Sequence, residues 1–369
     1  MRIKKIVHLT SVHPRYDIRI FQKECLSLSM AGYDVTLIVA DGKGNEIKNN
    51  INIIDVVQAP AKSRLVRIFK FPGMVYEAAL KLDGDVYHFH DPELIPVGLK
   101  LKRAGRKVIY DIHEDLPRQT LTKDYIPKLF RVPLASVLEY YEDRSVKKFN
   151  AAVTATPFIN QRFLKINHKS VNINNFPITS ELVLSNSADE KENAVCYVGG
   201  ISRLRGVKQL IEATALANVK LYLVGSFSES DFEQEVKQLP AWKNVIECGQ
   251  LNRKEVAAVM AKCICGVVPF LPAPNHCNAQ PNKMFEYMSA SLPVLCSDFP
   301  LWREIIKDNG CGVCVDPALP AAIAEGIKRI AGDAIAMVGM GRNGQAAVKE
   351  KYNWEAESVK LIDLYNNLV

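Results

Sequence analysis

Short apolar runs alternate with stretches carrying an apolar residue every third or fourth position, from the first residues to the last. Runs of the first kind read as buried strands and stretches of the second as amphipathic helices, and their alternation predicts parallel sheets of βαβ units. In the first half the strands fall near 3–10, 34–40, 51–57, 85–89, 107–111, 151–155 and 170–174, with helices near 18–31, 65–82, 92–104, 128–149 and 157–165. A Pro/Asn/Ser-rich stretch over 174–193 closes on charged residues and reads as an interdomain connection. The alternation then restarts, with strands near 194–198, 219–224, 244–247, 264–268, 292–296 and 312–315 and helices at 206–217, 229–239, 252–261, 281–290 and 320–331. Trp354, Leu361, Leu364, Tyr365 and Leu368 recur at helical spacing in a last helix over 354–368. The fold class is therefore α/β, two Rossmann-like domains facing across a cleft. Their expected bounds are 1–178 and 179–350, with 351–369 as a terminal helix packing back on the first domain. Ligands of open parallel sheets sit outside the carboxyl ends of the strands, so polar residues there are the candidates for chemistry.

Composition narrows the class. The 369 residues are 48% hydrophobic and 24% charged, enough to bury two cores. The opening run from Ile6 to Leu9 is too short for a secretory signal, and no stretch approaches the roughly 18 apolar residues of a membrane span. Nine scattered cysteines, several within apolar runs, indicate reduced, cytoplasmic usage. The Cys311-Gly-Val-Cys314 spacing lacks a second pair at metal-like distance and is explained by alternation in a strand. Residues 1–180 hold 28 Lys+Arg against 18 Asp+Glu, a balance of +10, and the remainder 19 against 22, or −3, which sum to +7. The basic first half suits an anionic surface or a polyanionic substrate.

Two stretches of the second half carry chemistry. In Tyr197-Val-Gly-Gly-Ile-Ser-Arg-Leu-Arg-Gly-Val-Lys208, Gly199 and Gly200 let a ligand approach the backbone. Arg203 and Arg205 precede a helix opening at Gly206, and paired cations beside free helix N–H groups suit a diphosphate. The second stretch, from Pro281-Asn282-Lys283 to Asp298, reads as a loop, a helix and a buried strand. Glu286, one turn into that helix, suits the two hydroxyls of a ribose, although a carboxylate there also suits the helix dipole. Lys283 and the N–H groups at the helix start add positive potential for phosphate or leaving-group charge.

These stretches, YVGGISRLRGVKQLIEA and PNKMFEYMSASLPVLCSDFP, resemble the bacterial retaining glycosyltransferases of family four, of the double-Rossmann architecture called GT-B, and the resemblance covers essentially the whole chain. It implies that Arg205 replaces the family's phosphate-binding lysine and that Glu286 is the second Glu of the E-x7-E motif. It also implies that Gly225 closes a strand at the donor site and that the segment Gly249-Gln250-Leu251 lies against the nucleobase. Asn278 stands where the family has its first Glu, so no carboxylate touches the transferred sugar there.

The first half offers His88-Phe-His-Asp-Pro-Glu93 and Tyr110-Asp-Ile-His-Glu114 at two strand ends. His88 and His90 share one strand face, and since nucleotide-sugar chemistry on this architecture needs no metal, none is expected. The resemblance places His113 beside the donor sugar, sharing the acceptor's proton, with Glu114 nearby and His90, Asp91 and Glu93 lining the acceptor side. Asp17 suits either a helix N-cap or an acceptor contact, and Arg15 and Arg19 suit an anionic acceptor. Basic positions interleaved with apolar ones (Lys62, Arg64, Arg67 and Lys70 with Leu65, Ile68, Phe69 and Phe71) suit attachment to anionic lipid or a solvated face. A second basic group is Lys100, Lys102, Arg103, Arg106 and Lys107. No nucleic-acid recognition motif accompanies this charge.

The resulting expectation is a retaining hexosyltransferase using a UDP- or GDP-sugar as substrate, with no cofactor. Its acceptor would be a surface-polysaccharide or lipid-linked glycan, and its location cytoplasmic or peripheral on the inner membrane face. A nucleotide-sugar epimerase and a non-catalytic partner in glycan assembly are the alternatives.

Overall fold

The computed structural model describes residues 3–59, 63–123, 126–181 and 191–368. The chain forms two compact units, Met1–Asn175 with Ala356–Val369, and Phe176–Glu355. Residues 182–190 of the expected connection lie outside the described residues.

Unit 1 is built on strands β1 (Lys5–Leu9), β2 (Asp34–Val39), β3 (Glu46–Lys48), β4 (Ile51–Asp55), β5 (Val86–Phe89), β6 (Lys107–Ile112), β7 (Ala151–Thr154) and β8 (Ser170–Asn172). They order as β3-β4-β2-β1-β5-β6-β7-β8, all parallel except β3, a short edge strand the apolar pattern did not announce. Consecutive residues such as Ile6, Val7, His8 and Leu9 or Val86, Tyr87, His88 and Phe89 are fully buried, as expected of a parallel sheet covered on both faces. Strand order reverses between β1 and β5, so this sheet's ligand crevice lies where Thr10 and His90 leave them. The last helix, Trp354–Asn366, returns Tyr365 to unit 1, where its hydroxyl lies 2.8 Å from His88 Nδ1.

Unit 2 carries β9 (Ala194–Val198), β10 (Lys220–Val224), β11 (Val245–Gly249), β12 (Cys265–Val268), β13 (Val294–Ser297) and β14 (Gly312–Val315), in the order β11-β10-β9-β12-β13-β14 and wholly parallel. This is the doubly wound order, with its switch point between β9 and β12. Helices Pro300–Asp308 and Ala334–Glu350 were not foreseen. The latter contains Gly339, Gly341 and Gly344, each unfavourable in a helix by about 1 kcal/mol relative to Ala. Tertiary packing decides the matter: a Cβ on Gly341 would collide with the Ser291 carbonyl, and one on Gly344 would press on Met288. The glycines bring this helix against its neighbour, and that burial outweighs local propensity.

Candidate active site

At the unit 2 switch point β9 ends in Gly199 and Gly200. Gly199 has φ +119° and Gly225, after β10, has φ +138°; a Cβ on Gly225 would strike the Gly199 carbonyl. Only glycine allows the two strand ends to approach this closely. Into the same corner the helix Asn282–Ser289 sends Lys283, whose Nζ lies beside Gly199 and 3.6 Å from the centroid of the Tyr197 ring. Lys283 is 8% exposed, and its Nζ has no hydrogen-bond partner. Burial, and then the neighbouring Arg205 cation, push its pKa well below that of an ordinary lysine. Arg205 donates to the Gly200 carbonyl at 2.7 Å. Two cations at a glycine turn, one of them unpaired, form a cationic corner whose chemistry suits an anion.

Arg203 is not part of this corner. Its guanidinium pairs with Glu235 and stacks 5.0 Å from the centroid of the Phe232 ring, with Asp231 at 3.6 Å. The turn Arg203–Arg205 is 3₁₀-helical, so residues two apart point about 120° apart around its axis. That corrects the expected pairing of the two arginines on one diphosphate. Replacing Arg203 by Ala is accordingly expected to leave nucleotide affinity unchanged and to alter stability by less than about 1 kcal/mol, since the ion pair is partly solvated. Isothermal titration and thermal unfolding of the variant check both.

Glu286 lies on the same helix and accepts from Arg253 Nη1 at 2.7 Å; Arg253 Nη2 donates to Glu181 at 2.8 Å. Arg253 escaped the sequence reading. Its signal was the Asn252–Glu255 capping box, which starts the helix Arg253–Lys262 immediately after Gln250 and Leu251. Gln250 donates to Ser226 Oγ at 3.2 Å, bringing the ends of β10 and β11 together. Pro281 and Asn282 open the Lys283 helix, with Asn282 exposed and Asn278 half-buried in the preceding loop. That loop also holds the buried, unpartnered amide oxygens of Asn275 and Gln280. Cys314 lies 3.7 Å from Cys296, sulfur to sulfur, on neighbouring strands, and both are free cysteines.

In unit 1, His113 follows β6 and is 19% exposed; its Nε2 lies 3.1 Å from Asp111 Oδ2 and 3.2 Å from His90 Nδ1. Behind it the expected acceptor contacts are internal. Arg19, 3% exposed, holds Asp111 with Nε and Nη2 at 2.9 and 2.8 Å and donates Nη1 to the Ile173 carbonyl. Arg15 is buried against Asp41, with Glu46 at 3.1 Å. Neither arginine can meet an acceptor, a correction that follows from full pairing in the interior. His90 and Asp91 are likewise buried, so both support the site rather than line it. Asp17 Oδ1 accepts from the N–H groups of Arg19 and Ile20, which is the capping role. Glu114 is exposed, and Glu93 lies 4.0 Å from Arg67.

His13, also missed, stands 2.8 Å from Asp91 Oδ1 and has its ring 5.0 Å from that of His113. Burial opposes the charge on Asp91, but His13, the Ser11 N–H and the Thr10 hydroxyl outweigh it and hold the carboxyl at about 2. Burial likewise opposes the charge on His13, but Asp91 raises its pKa above 6.5. A depressed acid contributes stability that is lost as pH falls from the ordinary carboxylate range toward 2. A raised histidine contributes stability complete below 6.5 and lost as pH climbs through its folded value. Asp91→Asn is expected to flatten both limbs of the stability–pH curve, measured by denaturant unfolding from pH 2 to 9.

The two sheets define an α/β protein of the double-Rossmann class, with Lys283 and Arg205 gathered at the switch point of unit 2. A model of Glycosyltransferase Family 4 matches residues 24–175, and a model of glycosyl transferases group 1 matches residues 181–347. The two models together span most of the chain, which belongs to the glycosyltransferases, with a family-four domain in unit 1 and a group 1 domain in unit 2. It is 26% identical over 181 residues to an uncharacterised glycosyltransferase of Methanocaldococcus jannaschii, a match covering 48% of this chain but only 45% of that protein. It is 24% identical over 301 residues to the human alpha-1,3/1,6-mannosyltransferase, covering 72% of this chain and 69% of that one. Among solved structures, sucrose-phosphate synthase from Thermosynechococcus elongatus superposes with a TM-score of 0.81 at 18% identity, covering 99% of both chains. The Anabaena protein HepE, solved with UDP and glucose, gives 0.74 at 15%, covering 99% of this chain and 100% of that one. These likenesses establish the GT-B fold.

Proposed function

We propose that this chain is a metal-independent, retaining transferase. It moves a hexose from a UDP- or GDP-sugar to a surface-polysaccharide or lipid-linked glycan acceptor. The observation that carries the reading is Lys283: a buried, unpartnered ammonium beside Gly199 and Arg205, at the place where a doubly wound sheet receives a phosphate. In that reading Lys283 and Arg205 bind the diphosphate and stabilise the charge that develops as it departs, with Gly199, Gly200 and Gly225 clearing space for it. Glu286 exchanges Arg253 for the ribose hydroxyls. Gln250 and Leu251 border the base, and Pro281, Asn282 and Asn278 border the sugar. With no carboxylate between Leu271 and Glu286, retention follows same-face attack guided by the leaving group rather than a protein nucleophile. His113, backed by Asp111, shares the acceptor's proton, and Glu114 and Glu93 belong to the acceptor side. HepE, also solved with UDP-glucose, supports a nucleotide-sugar donor by analogy. Incubating the protein with radiolabelled UDP- and GDP-sugars tests the reading: slow donor hydrolysis with one of them is expected, and neither binding nor hydrolysis across the panel defeats it.

Among the described residues no helix is long and apolar enough to cross a membrane. Lys62 lies outside the described residues, but Leu65 and Phe69 of the basic segment are 66% and 80% exposed. The helix Lys128–Val146 adds exposed Leu129, Phe130, Val132 and Val137. The second basic group is largely satisfied locally, Lys102 by Asn150 and Arg106 by Asp83. Contact with an anionic membrane surface through the exposed apolar positions is part of the proposal. Co-sedimentation with vesicles containing phosphatidylserine is expected to fall when Leu129 and Phe130 become Ser, and equal sedimentation of the variant would remove this element.

A further inference from the structure

Beneath the unit 1 switch point lies a constellation that sugar transfer does not use. His8 on β1 and His88 on β5 are register partners, His90 leaves β5 on the same face, and all three are buried together with Glu24. Glu24 comes from the segment Ile20–Cys25, where bonds from Gln22 N to Asp17 O (3.2 Å) and Glu24 N to Arg19 O (3.0 Å) span five residues. Such π-wound turns occur mostly at functional sites. Glu24 Oε2 lies 3.9 Å from His8 Nδ1, 3.9 Å from His90 Nε2 and 4.0 Å from His88 Nδ1, while His8 Nδ1 and His90 Nε2 are 2.9 Å apart. Ligand atoms on a tetrahedral ion with bonds of about 2.0–2.1 Å stand roughly 3.3 Å from one another. Movements below 1 Å or so therefore close this set on an ion.

Charge and hydrogen bonding point the same way. One cation, Arg19, faces two buried carboxyl groups, with its Nε 3.2 Å from Glu24 Oε1 and its Nη2 2.8 Å from Asp111 Oδ1. Among the described residues neither Glu24 oxygen has a hydrogen-bond partner of ordinary geometry, and Oε1 lies 3.2 Å from Arg19 Nε. The remote nitrogens of two imidazoles are already held, His90 Nδ1 by Asp111 Oδ2 at 3.2 Å and His8 Nε2 by the Tyr365 hydroxyl at 3.3 Å, while His88 Nδ1 lies 2.8 Å from that same hydroxyl, a contact that an ion bound there would displace. Outer partners of this kind orient histidine ligands toward a metal.

We propose that His8, His88, His90 and Glu24 bind one divalent transition-metal ion, such as zinc, as a structural centre that ties β1, β5 and the π-wound segment to the C-terminal helix through Tyr365. This centre is independent of the donor-site reading and takes no part in the transfer. The hydrogen now shared by His8 and His90 moves to His8 Nε2, which faces the Tyr365 oxygen. The test is the metal content of untagged, full-length protein purified from zinc-supplemented cells, by plasma mass spectrometry, together with its melting temperature with zinc and after treatment with dipicolinate. One retained ion per chain, and a melting temperature lowered by the chelator and restored by zinc, are expected. Tyr365→Phe, which keeps the packing, is expected to weaken zinc by roughly 10- to 100-fold in competition with a chromophoric chelator. Glu24→Gln is expected to lose the ion, and His113→Asn to keep it. Metal-free protein that zinc does not stabilise overturns the proposal, as does an ion lost in His113→Asn but kept in Glu24→Gln, which would place it on His90, Asp111 and His113.

Discussion

Lys283→Met lowers turnover of the nucleotide-sugar by about 10²- to 10³-fold, the usual effect of deleting one preorganised charge at a developing anion, and it does so without lowering the melting temperature. The second half of that result makes the test specific. Lys283 sits unpaired against Tyr197 and Phe270, with its pKa driven down chiefly by burial. The ammonium is thus a cost to the free fold, and methionine keeps the stem while removing it. Because the folded pKa is depressed, the unfolded chain holds more protons, and the cost shrinks as pH rises toward the ordinary lysine value. Diphosphate reverses the shift by supplying the missing counter-charge, so binding takes up protons at alkaline pH, measurable by calorimetry in buffers of different ionisation enthalpy. A variant that loses stability but keeps its turnover would show Lys283 to be a packing residue.

Arg19→Met has the largest expected effect on stability. It leaves Asp111 and Glu24 buried without their cation, and breaking a buried pair from one side costs about 3–5 kcal/mol. Burial alone would raise the Asp111 pKa, but Arg19 and His113 hold it well below the usual carboxylate range. Glu24 responds oppositely, its carboxyl pushed well above that range by burial and by Asp111. Without Arg19 both acids must take up protons or unit 1 must open. Adding Asp111→Asn to Arg19→Met is expected to recover part of the loss, a coupling readable from a double-mutant cycle in urea. A single variant within about 1 kcal/mol of the parent would contradict the buried network.

The sequence revealed more of the fold than of the side-chain partnerships. Strand positions in both units follow the apolar runs because parallel strands are buried on both faces. The Ala334–Glu350 helix was hidden because its three glycines argue locally against a helix, and the close approach to Ser291 and Met288 explains Gly341 and Gly344, while nothing in the structure explains Gly339. The places of Gly199, Gly200, Arg205 and Lys283 in the fold were legible because each lies beside a strand end or a helix start. Arg203 was misplaced because linear proximity to Arg205 conceals the rotation of a 3₁₀ turn. Arg15, Arg19, His90 and Asp91 looked like acceptor contacts because residue type does not disclose burial; their partners are up to 154 positions away, as with Arg19 and Ile173. Arg253 and His13 were missed for the same reason, each acquiring meaning only beside Glu286 or Asp91.

Crystals soaked with UDP or GDP examine the donor assignment without depending on any acceptor. The expected density places the diphosphate within hydrogen-bonding distance of Lys283 Nζ and the Arg205 guanidinium, with Glu286 swung from Arg253 onto the ribose hydroxyls. An empty pocket at saturating nucleotide, or a nucleotide bound elsewhere with Glu286 still paired to Arg253, would contradict it.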